Sequence, residues 1–161
     1  MQDQARVVII GAGVVGCSVA YHLTRLGWRD IVVLEQGPLF DTGGSSSHAP
    51  AIIFQTNPSR LYSLLAAYTV ELFSQLELDG LPCYFPVGAL EVAWTPDRME
   101  ELKRRVTLAK SWGLDTHLLG PEEAVQKAPL LTNKVLGAMY NATDGLVKVV
   151  RTDEAMANEA K

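Results

Sequence analysis

A chain of 161 residues, 48% of them hydrophobic and 20% charged, is too apolar for a disordered segment and has enough apolar material for one packed domain. Its net charge of -4, with no basic run longer than Lys103-Arg104-Arg105, offers no field to nucleic-acid phosphates, so no nucleic-acid partner is expected. Gly, Arg or Pro interrupts every apolar stretch short of the roughly 18 to 20 residues that a membrane span needs, and the amino terminus enters an apolar run without a leader pattern, so no membrane and a cytoplasmic location are expected.

Residues 6–10 (RVVII) form a β-branched run ending at Gly11, the pattern of a buried parallel strand before a tight turn. Val15, Val19, Ala20, Leu23 and Leu26 then recur at helical spacing, with Gly27 where a left-handed cap belongs. Residues 31–34 (IVVL) read as a second strand, which makes about 5–36 one right-handed βαβ unit. About 37–58 is a loop rich in Gly, Pro, Ser and Thr, with residues 52–54 as a short extended piece; a loop of that length in a compact domain is usually functional. The remainder, 59–161, is a helical and strand extension.

In that extension a helix over 61–77 carries Leu61, Leu64, Leu65, Tyr68, Leu72 and Leu76 on one face, read as core, and ends near Asp79-Gly80. Residues 87–93 read as a strand. Thr95-Pro96-Asp97 supplies an N-cap, a first-turn proline and an early acid for a helix closed at Trp112-Gly113, whose charges from Arg98 to Arg105 read as a solvated face. A shorter helix from Gly120-Pro121 stops at Pro129, residues 135–140 read as a strand, and Thr143-Asp144-Gly145 as a turn. Residues 152–161 resemble the start of a helix with little to pack against, and the chain reads as truncated. Trp28, Trp94 and Trp112 are read as core, and His22 and His117 as ordinary surface or core histidines. Cys17 and Cys83 have neither a CxxC nor a histidine pair beside them, so they read as two buried thiols with no disulfide and no metal.

Gly11-Ala12-Gly13-Val14-Val15-Gly16 fits GxGxxG, a weak pattern made strong by the strand before it and the helix after it. Gly11 makes the turn, Gly13 lets backbone approach a pyrophosphate, and Gly16 permits close helix-to-strand packing, while the helix N-terminus offers N–H groups to phosphate. Glu35 ends the second strand close to the interval of about 20 positions at which an acid accepts from the adenosine ribose hydroxyls, and its charge disfavours NADP. The fingerprint fits FAD and NAD alike. Gly44, Ser45, Ser46, Ser47 and His48 follow, small residues and hydroxyls around one imidazole, in a loop for which a nicotinamide dehydrogenase has no evident use. Ser45 and Ser46 could donate to a pyrophosphate, although a serine-rich turn needs no ligand to explain it.

The run from Val7 to Leu34, the continuation Glu35-Gln36-Gly37-Pro38-Leu39, and GGSSSHAPAIIFQTNPS from Gly43 to Ser59 resemble the family of dimethylglycine oxidase and the dimethylglycine and sarcosine dehydrogenases. The resemblance continues through VGALEVA (87–93), APLL (128–131) and DGL (144–146), and fades after about Val150. It implies an α/β fold with a Rossmann-type βαβ unit, FAD as cofactor, and oxidation of the N-methyl group of a small amino acid such as dimethylglycine or sarcosine. It adds Gln36, Gly44, Ser45, Ser46 and His48 to the cofactor-binding set, with His48 at the position that carries FAD covalently on the 8α-methyl. From the residues alone a loop histidine bound only by hydrogen bonds stays open beside that tether. Members continue well beyond residue 161, so the substrate-side catalytic residues have no match here, and a missing C-terminal part or complementary subunit is implied. An NAD-dependent dehydrogenase and a non-catalytic remnant or subunit of a flavoenzyme remain as alternatives.

Overall fold

The two β-branched runs flanking the glycine-rich turn pair as parallel strands in the computed structural model, which describes residues 4–39, 44–132 and 134–161. In chain order the elements are β1 (Val7–Ile10), α1 (Val14–Arg25), β2 (Ile31–Leu34), β3 (Ile52–Ile53), α2 (Arg60–Gln75), β4 (Glu77–Leu78) and β5 (Leu81–Pro82). They continue with β6 (Tyr84–Phe85), β7 (Ala89–Ala93), α3 (Pro96–Ser111), β8 (Thr116–Leu119), α4 (Pro121–Lys127), β9 (Gly137–Asn141), β10 (Gly145–Val147) and α5 (Val149–Glu159). The chain divides into two compact units, a division that composition does not reveal. One comprises Met1–Ala51, Phe73–Tyr84 and Val147–Lys161, the other Ile52–Leu72 and Phe85–Leu146.

In the first unit β1 and β2 run in register from Val7 opposite Ile31 to Ile10 opposite Leu34. The helical period expected for α1 is present, but the buried stripe is Gly16, Cys17, Ala20 and Tyr21, while Val15 and Leu26 are exposed. Three small residues on the inner face let the helix axis come close to the strands, which larger Val and Leu side chains would prevent. The expected isolation of the last segment is corrected: α5 packs on α1 and on β4, burying Thr152, Asp153, Ala155 and Met156. Asp79-Gly80 is a two-residue hairpin turn rather than a simple helix end. Both residues have positive φ, 53° and 73°, and join β4 to β5 with Leu78 opposite Leu81. Cys17 and Cys83 are both buried and free, as expected. Trp28 corrects the expectation of a core residue, since it is 37% exposed with the Arg6 guanidinium 4.6 Å above its ring.

In the second unit β9 lies between β7 and β8, antiparallel to both. Leu102 and Val106 of α3 form one core with Ala93 of β7 and Met139 of β9, and Ala124, Val135 and Ala138 form another at α4. The start of α3 is as its sequence prescribes: Thr95 Oγ1 accepts from the Arg98 amide at 3.3 Å and Pro96 opens the helix. The solvated-face reading of its charges needs correction. Arg98 and Arg105 both bind Glu91 on β7, and Arg105, only 14% exposed in its side chain, also donates to the Thr56 carbonyl at 3.1 Å. Glu100, Lys103 and Arg104 fit the exposed pattern. β10, expected as part of a turn, pairs antiparallel with β3, Gly145 opposite Ile53. Beside that pair the buried Asp144 carboxylate accepts from the Gln55 amide and side chain, each at 3.0 Å. Of the stripe predicted over 61–77, Leu72 in α2 and Leu76 just past its end are buried, whereas Leu61, Leu64, Leu65 and Tyr68 are exposed, and so is Trp94.

Candidate functional site

The glycine-rich turn has the backbone its sequence demands. Gly11 sits at φ +102°, and a Cβ on Gly16 would lie 1.9 Å from the Gly11 carbonyl oxygen. No side chain fits at position 16, because the obstacle is backbone. Gly13 caps α1 with no side chain of its own, and the first-turn amides, Val14, Val15 and Gly16, have no acceptor from the preceding turn of helix. This is the strand–turn–helix geometry in which amides and helix dipole favour an anion.

Glu35 stands where β2 meets that turn. Its Oε2 accepts from the Ala12 amide at 2.8 Å, and its Oε1 accepts from the Gln36 and Gly37 amides at 2.8 and 3.1 Å. These N–H donors, led by Ala12, hold the carboxyl below its usual range. Glu35 is therefore an anion fixed in orientation before any ligand arrives, and Gln36 takes part through its backbone.

The serine–histidine loop is docked on the same helix start. Ser46 Oγ accepts from the Val14 amide at 2.9 Å, and a Cβ on Gly13 would lie 3.2 Å from that oxygen, so glycine at 13 here admits the loop as well as any ligand. Residues 45–48 form a turn in which the Ser45 and Ser46 carbonyls accept from the His48 and Ala49 amides. The Gly44 carbonyl accepts from the Ser47 hydroxyl and from His48 Nδ1, both at 3.0 Å, and Ser47 Oγ lies 3.1 Å from the same nitrogen. A carbonyl only accepts, so Nδ1 carries the proton, and in the neutral ring the Nε2 lone pair is left for other chemistry. Ser45 and His48 are exposed. Gly43, quoted with this loop, lies outside the described residues.

Asp153 carries no motif and was not among the residues singled out from sequence. It is 3% exposed, and its Oδ1 has no partner among the described residues. Burial pushes its carboxyl up to about 6 from an ordinary 3.8. Because the folded value lies above the unfolded one, its contribution to stability is full below about pH 4 and is lost as pH rises through about 6. Asp153→Asn should therefore raise the denaturation free energy near pH 8 by on the order of 1–3 kcal/mol and give no gain near pH 3. Denaturant melts at the two pH values check this, and a variant no more stable than wild type near pH 8 would refute it.

Other candidates contribute nothing to this site. His22 Nδ1 lies 2.7 Å from the Ser18 carbonyl within α1, and His117 meets Asp115 at the surface. Cys17 donates its thiol to the Ala12 carbonyl at 3.2 Å, and burial pushes its pKa up to about 11, so it is inert packing under the turn. A cavity of about 480 Å³ runs along α1 and β2 from Ala12 to Arg29 and Asp30. Its lining runs back past the amino end of β2 and takes in Ala157, Ala160 and Lys161, whereas dinucleotides bind in the crevice outside the strands' carboxyl ends.

The model of the FAD dependent oxidoreductase family, DAO, matches residues 6–161. The mitochondrial pyruvate dehydrogenase phosphatase regulatory subunit of Mus musculus is 36% identical over 160 residues, 98% of this chain and 18% of that protein. The mitochondrial dimethylglycine dehydrogenase of Homo sapiens is 33% identical over 163 residues, 99% of this chain and 19% of that protein. Among solved structures, L-proline dehydrogenase from P. horikoshii superposes with a TM-score of 0.86 at 25% identity, covering 99% of this chain and 42% of that one. The chain thus spans about a fifth of the length of these curated relatives.

Proposed function

From the premise that this chain belongs to the FAD-dependent oxidoreductase family, we propose that it forms the FAD-binding part of an enzyme oxidising the N-methyl group of a secondary or tertiary amino acid such as dimethylglycine or sarcosine. The observation that carries the reading is the docking of the serine–histidine loop on the dinucleotide turn through Ser46 and Val14, which ties His48 to the helix start where a pyrophosphate would lie. The residues fit the cofactor. The Val15 and Gly16 amides would face the phosphates, Glu35 would accept from the ribose hydroxyls with its carboxylate already fixed, and Gly13 keeps the approach clear of a side chain.

FAD, when bound, supplies the acceptor for the hydride equivalent that leaves the substrate's N-methyl carbon. The protein's part is binding, orientation and tethering. With its proton held on Nδ1 by Gly44, His48 presents Nε2 as the group for a covalent link to the flavin 8α-methyl. An NAD-dependent reading leaves that arrangement without a use.

Glu35→Gln keeps the size and loses the charge. It should weaken FAD binding by the apoprotein about tenfold, the worth of one charge-assisted hydrogen bond. Quenching of flavin fluorescence measures this, with NAD as competitor. Tight NAD binding with no flavin quenching by wild type would overturn the FAD reading.

A second reading has a specific observation in its favour: one relative, at 36% identity, is named a regulatory subunit. On that reading the native protein binds FAD and turns over none of a panel of N-methylated amino acids with an artificial electron acceptor. Turnover of any of them decides for the enzyme.

A further inference from the structure

Side-chain size is inverted across the first turns of α2. Its buried side carries Ser63 and Val70, with Ala66 and Ala67 half-buried between them at helical spacing. Its other side carries Leu61, Tyr62, Leu64, Leu65 and Tyr68, which are 43% to 64% exposed. A surface helix turns its large apolar residues to the core and its polar ones to water. Here the small residues are inside and the large ones outside, and no charged residue stands between Arg60 and Glu71.

The helix cannot turn to correct this. Ser63 Oγ accepts from the Asn57 amide at 3.0 Å and donates to the Asn57 carbonyl at 3.1 Å. The Ser63 amide in turn donates to the Ser59 carbonyl at 3.1 Å. A rotation that buried Leu61 and Leu65 would carry the Ser63 hydroxyl out to solvent and break both of its bonds to the Asn57 backbone. The local chain thus holds the large residues outward.

Area alone does not decide what such a face is for. Five side chains so exposed present on the order of 500 Å², within the range of the largest apolar patch on an ordinary monomer. The missing charge is what distinguishes it: a contact that forms and separates is about as polar as the rest of the surface, whereas a permanent one resembles a domain core. The patch also falls short of the roughly 800 Å² per partner of a stable complex between separate molecules. Within one chain a smaller contact suffices, because its halves meet at an effective concentration of millimolar order. The curated relatives, which match nearly the whole of this chain, are about five times as long, so a protein of their kind has the polypeptide to supply the cover.

We propose that the 61–68 face of α2 is an intramolecular docking surface, covered in the native protein by an apolar segment of the polypeptide beyond residue 161. The inference does not use the FAD reading: a protein covered here that binds no flavin keeps it and loses the other.

The test is made on the native full-length protein. Hydroxyl-radical footprinting compares each side chain in the folded and the denatured protein. Leu61, Tyr62, Leu64 and Leu65 should react about tenfold more slowly when folded, whereas a face as open as the one seen here would slow them only about twofold. A photoreactive benzoylphenylalanine in place of Tyr62, one large aromatic side chain for another, identifies what lies on the face. Its cross-links should fall on residues beyond 161 of the same chain, run at the mass of one chain, and keep their yield over about a hundredfold dilution.

Twofold slowing would mean an open face and overturn the proposal. Cross-links to a second copy, fading on dilution, or to a different protein would give the face to another occupant and overturn it as well. Should the substituted protein fail to fold, footprints of wild type at two concentrations decide alone: protection unchanged by dilution in a protein that runs as a monomer supports the cover, and protection lost on dilution refutes it.

Discussion

Gly16→Ala should unfold the dinucleotide unit or leave it unable to bind cofactor, with a loss of about 3 kcal/mol or more in denaturation free energy. The added methyl carbon would stand 1.9 Å from the Gly11 carbonyl oxygen, 3.0 Å from its carbon and 3.4 Å from Ile9 Cγ2. Three routes of relief exist, and each meets an obstacle. Gly11 cannot swing easily, because its amide is bound to the Leu34 carbonyl at 2.7 Å and its φ of +102° is already one that only glycine adopts freely. Sliding α1 outward would open the Gly16, Cys17 and Ala20 face that brings it close to the strands. Tilting α1 about its start would pull Val14 from Ser46 and Cys17 from the Ala12 carbonyl.

The comparison that isolates this effect is Gly13→Ala. There the nearest atom to the new methyl is a side-chain oxygen, Ser46 Oγ, at 3.2 Å, and a rotation of Ser46 relieves it. Gly13→Ala should therefore keep the fold within about 1 kcal/mol and weaken FAD. Denaturant melts by circular dichroism, beside flavin quenching, separate the two variants. A Gly16→Ala protein with the wild-type midpoint would mean that the turn is not built as described.

The residues that were readable in sequence are those whose signal is local. A β-branched run, three glycines at fixed spacing and an acid at the end of the next strand suffice for β1, α1, β2 and the place of Glu35, because each property belongs to residues close in the chain. Thr95-Pro96-Asp97 is legible for the same reason. Leu78-Asp79-Gly80-Leu81 was equally local, an Asp-Gly pair between apolar residues, but the helical stripe running up to it drew the turn into a helix end instead of a hairpin.

What escaped has its cause at long range. The stripe of α2 has the right period, yet periodicity states which face is apolar and not whether anything covers it; Leu61, Leu64, Leu65 and Tyr68 are exposed while Leu72 and Leu76 are buried. Arg105 looks like any surface arginine of a charged helix until Glu91 arrives from β7 and the Thr56 carbonyl from a segment far earlier in the chain. Asp153 is the clearest case. An aspartate in the last helix has no motif, and its burial appears only when α5 lies against α1. The sequence pattern located the loop and the helix start; the Val14–Ser46 bond that joins them could be found only in three dimensions.

His48→Ala should abolish covalent flavin altogether. In wild-type native protein, flavin fluorescence is expected to stay with the acid-precipitated pellet, and in the variant to move to the supernatant. The expectation follows from the proton inventory of the loop. Ser47 spends its hydroxyl proton on the Gly44 carbonyl, so toward His48 it offers only a lone pair, and Nδ1 must be the donor to both Gly44 and Ser47. The neutral ring then has its nucleophilic pair on Nε2 alone, in the one tautomer that leaves the exposed nitrogen reactive. The same inventory gives the variant its value as a control, since alanine removes the nucleophile while Ser46 still caps Val14 and the docking of the loop is left in place. FAD should accordingly remain bound in His48→Ala under native conditions, released only on denaturation. Flavin that leaves wild type on acid treatment would sink the tether and leave a flavoprotein holding its cofactor by hydrogen bonds, and flavin retained in the pellet of His48→Ala would move the link to a residue other than His48.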